Sequence, residues 1–201
     1  MKWIAPALAY LAVYLGLFQF HSAWGALLGF HVAILGSLLV ARPNIPINSL
    51  FKHTNKKWII ASVLLGANSG IALFFLWDSF GIASNLSTQV EALGLNAHTW
   101  TWFIAYFALV NPFIEEYFWR GYLGHPSKGF RLNDLVYAGF HALILYGKVH
   151  ILANVFAVSV LTIAGWLWRQ VKREDEGLLA PLLGHMAADF TILIAICLKT
   201  I

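Results

Sequence analysis

Seven stretches of mainly apolar residues, most of them close to helix-spanning length, divide this chain, and nothing constrains its fold more. They run approximately over 3–20, 22–41, 58–80, 98–123, 134–147, 149–168 and 178–199. A helix rises ~1.5 Å per residue and a bilayer's hydrocarbon core is ~30 Å thick, so about twenty apolar residues span it. The chain has 201 residues, 60% of them hydrophobic and only 11% charged, whereas soluble domains run near ~25% charged. The expected fold is therefore all-α: a polytopic transmembrane helical bundle of about seven helices. The fifth stretch is short, since about 14 residues give only ~21 Å. Its helix is expected to start within the preceding loop or to lie buried among neighbours. The first stretch follows Lys2 and resembles a signal peptide, but it is long for one and a second apolar run follows at once. It is read as a retained helix.

The few charges carry topological information. The loop 42–57 holds Arg42, Lys52, Lys56 and Lys57, the loop 124–133 holds Lys128 and Arg131, and the loop 169–177 holds Arg169, Lys172 and Arg173. The loop 81–97 has no basic residue and carries Glu91. Basic loops stay cytoplasmic, so the N-terminus is expected in the cytoplasm and the C-terminus outside, with Lys148 and Lys199 as exceptions. Compact length and short loops suit the inner or plasma membrane of a prokaryote. The basic residues behind the net charge of +4 are sparse and gather in loops, so no nucleic-acid partner is expected; the lipid bilayer is the surrounding medium. The one cysteine, Cys197, rules out an intrachain disulfide framework and a cysteine metal cluster.

Against that background, ionisable residues inside apolar stretches point to function, because a charge in hydrocarbon is costly. Glu115 and Glu116 are adjacent in the fourth stretch. Neighbouring helical residues point in different directions, so both are not expected to face one site. Glu116 and Arg120 have ion-pair spacing and are assigned to structural support, which leaves Glu115 to face a cavity. The blander alternative is that both glutamates only pair with arginine or lysine near the interface. Asn111-Pro112 is expected to kink this helix. His141 lies in the fifth stretch, one turn after Tyr137, with Gly139 permitting close packing. His185 and Asp189, four apart in the seventh, share a helix face, which suits an orienting pair or a metal site. Counted from the loops, Glu115, His141 and His185 all fall roughly 10–12 Å below the cytoplasmic surface. Each histidine taken alone reads equally well as an interhelical hydrogen-bonder. His31 is alone on its helix and reads only as hydrogen-bonded. His21, His53, His98, His125 and His150 lie at helix ends or in loops.

Glu115-Glu116-Tyr-Phe-Trp-Arg120 fits the EExxxR motif of the CAAX-protease and bacteriocin-processing (CPBP) family of intramembrane endopeptidases. Tyr137-x-x-x-His141 resembles that family's second motif, with tyrosine in place of the usual phenylalanine, and His185-x-x-x-Asp189 resembles its third. The resemblance covers roughly 60–200, which divides the chain into an N-terminal hairpin with its loop, 1–57, and a protease core, 58–201. It implies hydrolysis of a peptide bond in a membrane-associated protein or peptide: a prenylated CAAX tail, a leader peptide, or a C-terminal sorting tail as in short members resembling myxosortases. Carried over, Glu115 and His141 activate water, while His185 and Asp189 bind or polarise the scissile carbonyl. An ionised Asp189 repels an oxyanion, so it is expected to orient His185 or to donate while protonated. Glu115, His141, His185 and Asp189 also make a plausible zinc set; the reading preferred here is metal-free, with zinc the one cofactor the donors suit. The rival functions are a proton-coupled carrier, against which the lack of internal repeats argues, and a non-catalytic membrane scaffold.

Overall fold

A computed structural model describes residues 3–201, and among these every regular element is helical. The helices are α1 (Ile4–Tyr14), α2 (Ala23–Ala41), α3 (Lys56–Phe75), α4 (Leu86–Ala92), α5 (Trp100–Leu109), α6 (Asn111–Glu115), α7 (Leu132–Gly139), α8 (His141–Leu145), α9 (Ile151–Asp175) and α10 (Leu179–Thr200). Of the seven expected spans, α2, α3, α9 and α10 are unbroken helices long and apolar enough to cross a membrane. The chain is an integral membrane protein. The other three spans are assembled from shorter pieces: α1 runs into a wide π-helical turn (Leu15–Gln19), α5 and α6 are followed by a second such turn (Glu116–Tyr122), and α7 and α8 meet at Phe140.

Three boundaries differ from expectation. The loop 81–97 contains α4, a short helix that lays Leu86 and Val90 on the cluster around Leu27, Trp100 and Phe103. α3 stops at Phe75 and is followed by a separate 3₁₀ turn, Trp77–Phe80. α9 continues to Asp175, past the expected end at 168. Its last turns are polar in sequence, yet Arg169 and Asp175 within them are buried. Arg169 is buried against Asp134, donating from Nε and Nη2 at 2.8 and 2.7 Å, and also holds the carbonyls of His125 and Gly129 at 3.1 and 2.7 Å. Buried Asp175 accepts from the backbone N–H groups of Thr54 and Asn55 at 2.9 and 2.8 Å. These contacts bring the three basic loops to one end of the bundle. At the opposite end Ala83 donates to the Lys148 carbonyl and His150 to that of Gly81, both at 2.8 Å.

The tightest helix pair is α3 with α10. Lipid tails are as apolar as leucine, so membrane helices associate through close packing of small residues. Ser62, Gly66 and Gly70, spaced by four, form the buried face of α3. A Cβ on Gly66 would collide with the Gly184 carbonyl, and one on Gly184 would lie 2.8 Å from Ser62 Cβ. The other faces carry bulk outward: Ile60, Leu64 and Phe75 on α3, and Leu152, Val155 and Phe156 on α9, are exposed, as lipid-facing side chains must be. α1 and α2 pack into the main core through Ala5, Ala9, Val13, Phe30 and Ile34, against Phe118, Trp119 and Phe140.

Candidate active site

Two breaks in helical regularity shape the site. Pro112 has no N–H to donate and cannot continue a helix from the preceding turn, so α5 ends at Leu109 and α6 restarts at Asn111 with proline in its first turn. After Glu115 the backbone widens into the π-helical turn, a distortion common at functional sites. That winding changes the expectation that adjacent glutamates serve different surroundings. Glu116 makes the expected ion pair, accepting from Arg120 Nη1 at 3.0 Å, but the same oxygen, Oε1, also meets His185 Nδ1 at 2.8 Å. Glu115 lies within electrostatic reach of His185, Asp189 and Arg120, and within hydrogen-bonding reach of Asn111. Glu116 therefore contacts His185, and Glu115 is its electrostatic neighbour.

The His185 ring is held from several sides. Its Nε2 is 3.4 Å from Asp189 Oδ1, the contact that their four-residue spacing allows. With Glu116 on one nitrogen and Asp189 on the other, both acceptors are satisfied when both ring nitrogens carry protons. The ring stacks on Trp168 at 5.5 Å and 21°. Arg120 lies 3.7 Å above the Tyr137 ring and 5.4 Å from that of Trp168, so its charge is covered by two π faces as well as by Glu116. Glu115 is 3% exposed. Its Oε2 has no hydrogen-bond partner among the described residues. The same holds for Oε2 of Glu116, and buried carboxylate oxygens without a protein partner are rare.

His141 opens α8. Its Nδ1 is 3.2 Å from the Ala138 carbonyl. A carbonyl only accepts, so Nδ1 carries the proton and Nε2 is left as the basic nitrogen. The ring stacks on Phe140 at 4.1 Å, and its electrostatic neighbours include His185 and Arg120. Among the described residues no hydrogen bond links Glu115 to His141. Glu115, His185 and Asp189 thus form one cluster, with His141 beside it through His185.

Two members of the cluster were not anticipated. Asn111, expected only to kink the helix, donates from Nδ2 to Asp189 Oδ2 at 3.2 Å. His31 of α2 is buried, with Nε2 3.0 Å from Asn111 Oδ1 and Nδ1 3.1 Å from the Tyr106 hydroxyl. Asn111 could have been suspected, since it precedes Glu115 by four residues. No local signal in α2 pointed His31 toward the site.

A zinc site needs three or four donors around one point at ~2.0–2.2 Å. Here both nitrogens of His185 face carboxylates and Nδ1 of His141 faces the backbone. Among the described residues no three His, Cys, Asp or Glu side chains are grouped to hold a metal ion. The donor set as arranged does not fit zinc.

Residues 97–191 match the family model described as Type II CAAX prenyl endopeptidase Rce1-like. Over that segment the chain is similar to this family. The segment contains Glu115, Glu116, Arg120, His141, His185 and Asp189, and it begins well after α3, later than the expected start near 60. His31 lies outside it. No curated protein and no solved structure matches the chain.

Proposed function

We propose that this Rce1-like protein is an intramembrane endopeptidase that cleaves a membrane-associated protein or peptide with water activated by Glu115. The observation that carries the reading is the buried Glu115 carboxylate near the His185–Asp189 pair, while the adjacent Glu116 is tied to Arg120. In this mechanism Glu115 takes a proton from water while the hydroxide attacks the scissile carbonyl carbon. His141, through Nε2, helps to position or deprotonate the water. His185, its two nitrogens held by Glu116 and Asp189, lends the positive charge of its ring to the developing oxyanion. Glu115 then returns its proton to the leaving amine, and the C–N bond breaks. Glu116 and Arg120 support the site, the core comprises 58–201 and the hairpin 1–57 buttresses it. The matched family's description favours a prenylated CAAX tail as substrate, approached from the cytoplasmic side of a prokaryotic membrane.

The test is cleavage by the purified protein in proteoliposomes, followed by mass spectrometry, of a prenylated CAAX peptide, a leader peptide and a C-terminal sorting tail. The prenylated peptide is expected to be cut. Glu115→Gln keeps size and hydrogen bonding but removes the base, so turnover should fall by about 10²–10⁴-fold with unchanged thermal stability. Full turnover in that variant would reject Glu115 as the base. Proton-linked solute flux without cleavage would point instead to a carrier.

A further inference from the structure

The hydrogen-bond chain from α2 has only one consistent direction. Asp189 Oδ2 accepts, so the Asn111 group 3.2 Å from it is the amide nitrogen, and the Asn111 oxygen faces His31. An amide oxygen only accepts, so His31 Nε2, 3.0 Å away, carries a proton. A neutral His31 then accepts at Nδ1, where the Tyr106 hydroxyl stands at 3.1 Å. The Asn111 oxygen thus fixes the form of His31, the Tyr106 hydroxyl turns to donate to its Nδ1, His31 holds the face of the Asn111 amide, and Asn111 supplies the N–H that steadies Asp189. Asp189 in turn faces His185 Nε2 at 3.4 Å. Asn111 is 1% exposed and His31 3%, so solvent cannot replace a lost partner.

We infer that His31 is a positioning residue: through Asn111 it sets the Asp189 carboxylate and hence the ring of His185. An unanchored Asn111 amide could turn its oxygen toward Asp189, placing two acceptors face to face. The N-terminal hairpin, outside the Rce1-like segment, would thereby complete the site. The inference rests on the peptidase reading for its effect on turnover, but not for its effect on the His185 ring.

The experiment uses the full chain in lipid nanodiscs, with two readouts: peptide turnover, and ¹⁵N NMR of the histidine ring nitrogens. His31→Phe removes the donor to Asn111. His31→Gln restores one, because the glutamine amide nitrogen sits about where Nε2 does. His31→Phe should lower kcat by about 10-fold or more, the usual scale for loss of an orienting partner, at nearly unchanged KM. It should also move the His185 ring signals, and His31→Gln should largely recover both. Asn111→Leu should show the same loss, and the double variant no further loss, because both act through one chain. Multiplying losses, or a glutamine variant as poor as phenylalanine, would overturn the inference. If the wild type cleaves nothing, the peptidase reading fails by itself, and the NMR decides: unchanged His185 signals in His31→Phe reject the positioning role. If His31→Phe does not fold, Tyr106→Phe probes the same chain from its far end. It should shift the same signals and lower kcat, and an unaltered spectrum would count against the chain.

Discussion

Glu116→Gln separates support from catalysis. Oε1 of Glu116 meets Arg120 Nη1 at 3.0 Å and His185 Nδ1 at 2.8 Å, and all three side chains are buried. Glutamine preserves the shape and an acceptor but deletes the charge that two basic groups share. Removing one partner of a buried ion pair costs about 3–5 kcal/mol. Arg120 keeps its contact with the Tyr137 ring, so the lower figure, about 3 kcal/mol, applies. At roughly 2–4 °C per kcal/mol for a chain of this size, the unfolding midpoint should drop by about 6–12 °C. Tryptophan fluorescence during heating of the purified, solubilised protein is a suitable assay, because Trp168 stacks on His185. Adding Arg120→Met to Glu116→Gln removes the stranded cation and should recover part of the loss. A wild-type midpoint combined with abolished turnover would refute the reasoning and make Glu116 a reacting group. So would a double variant whose losses simply add.

Two further outcomes follow from the same geometry. Arg169→Met strands the buried Asp134 carboxylate and frees the loop carbonyls, so it should cost about 3–5 kcal/mol and open the 125–129 loop to limited proteolysis; Asp134→Leu in the same chain should restore much of the stability, and unchanged protease resistance in the single variant would contradict the clamp. Exhaustive chelation should leave peptide turnover intact, measured against an untreated control, because the donors are engaged with one another; activity lost and regained specifically with zinc would show that the site rearranges around metal.

Much of the fold was legible because the bilayer simplifies the problem: seven apolar stretches each lead to helices. What could not be read was where those helices break, since the break at Val110 follows from Pro112 but the π-helical turn after Glu115 has no clear local signature. The polar end of α9 was read as loop because Arg169 and Asp175 look solvated in one dimension; only the fold supplies Asp134, Thr54 and Asn55 as partners. Within the site, the i,i+4 pairs Glu116–Arg120 and His185–Asp189 were visible because spacing along one helix determines them. The contact of Glu116 with His185, and the link from His31 to Asn111, join residues 69 and 80 positions apart, a distance at which no periodicity speaks.

The stripe of small residues between α3 and α10 has a mechanical consequence. Where backbone meets backbone there is no side chain to compress, and any slide that brought a residue with a Cβ to the place of Gly66 would drive that Cβ into the Gly184 carbonyl. The next notch that returns small residues to small residues is one helical turn away, about 5.4 Å. α10 carries His185 immediately after Gly184, so α3 acts as a gauge for the helix that carries this histidine, which is in register or displaced by a whole turn.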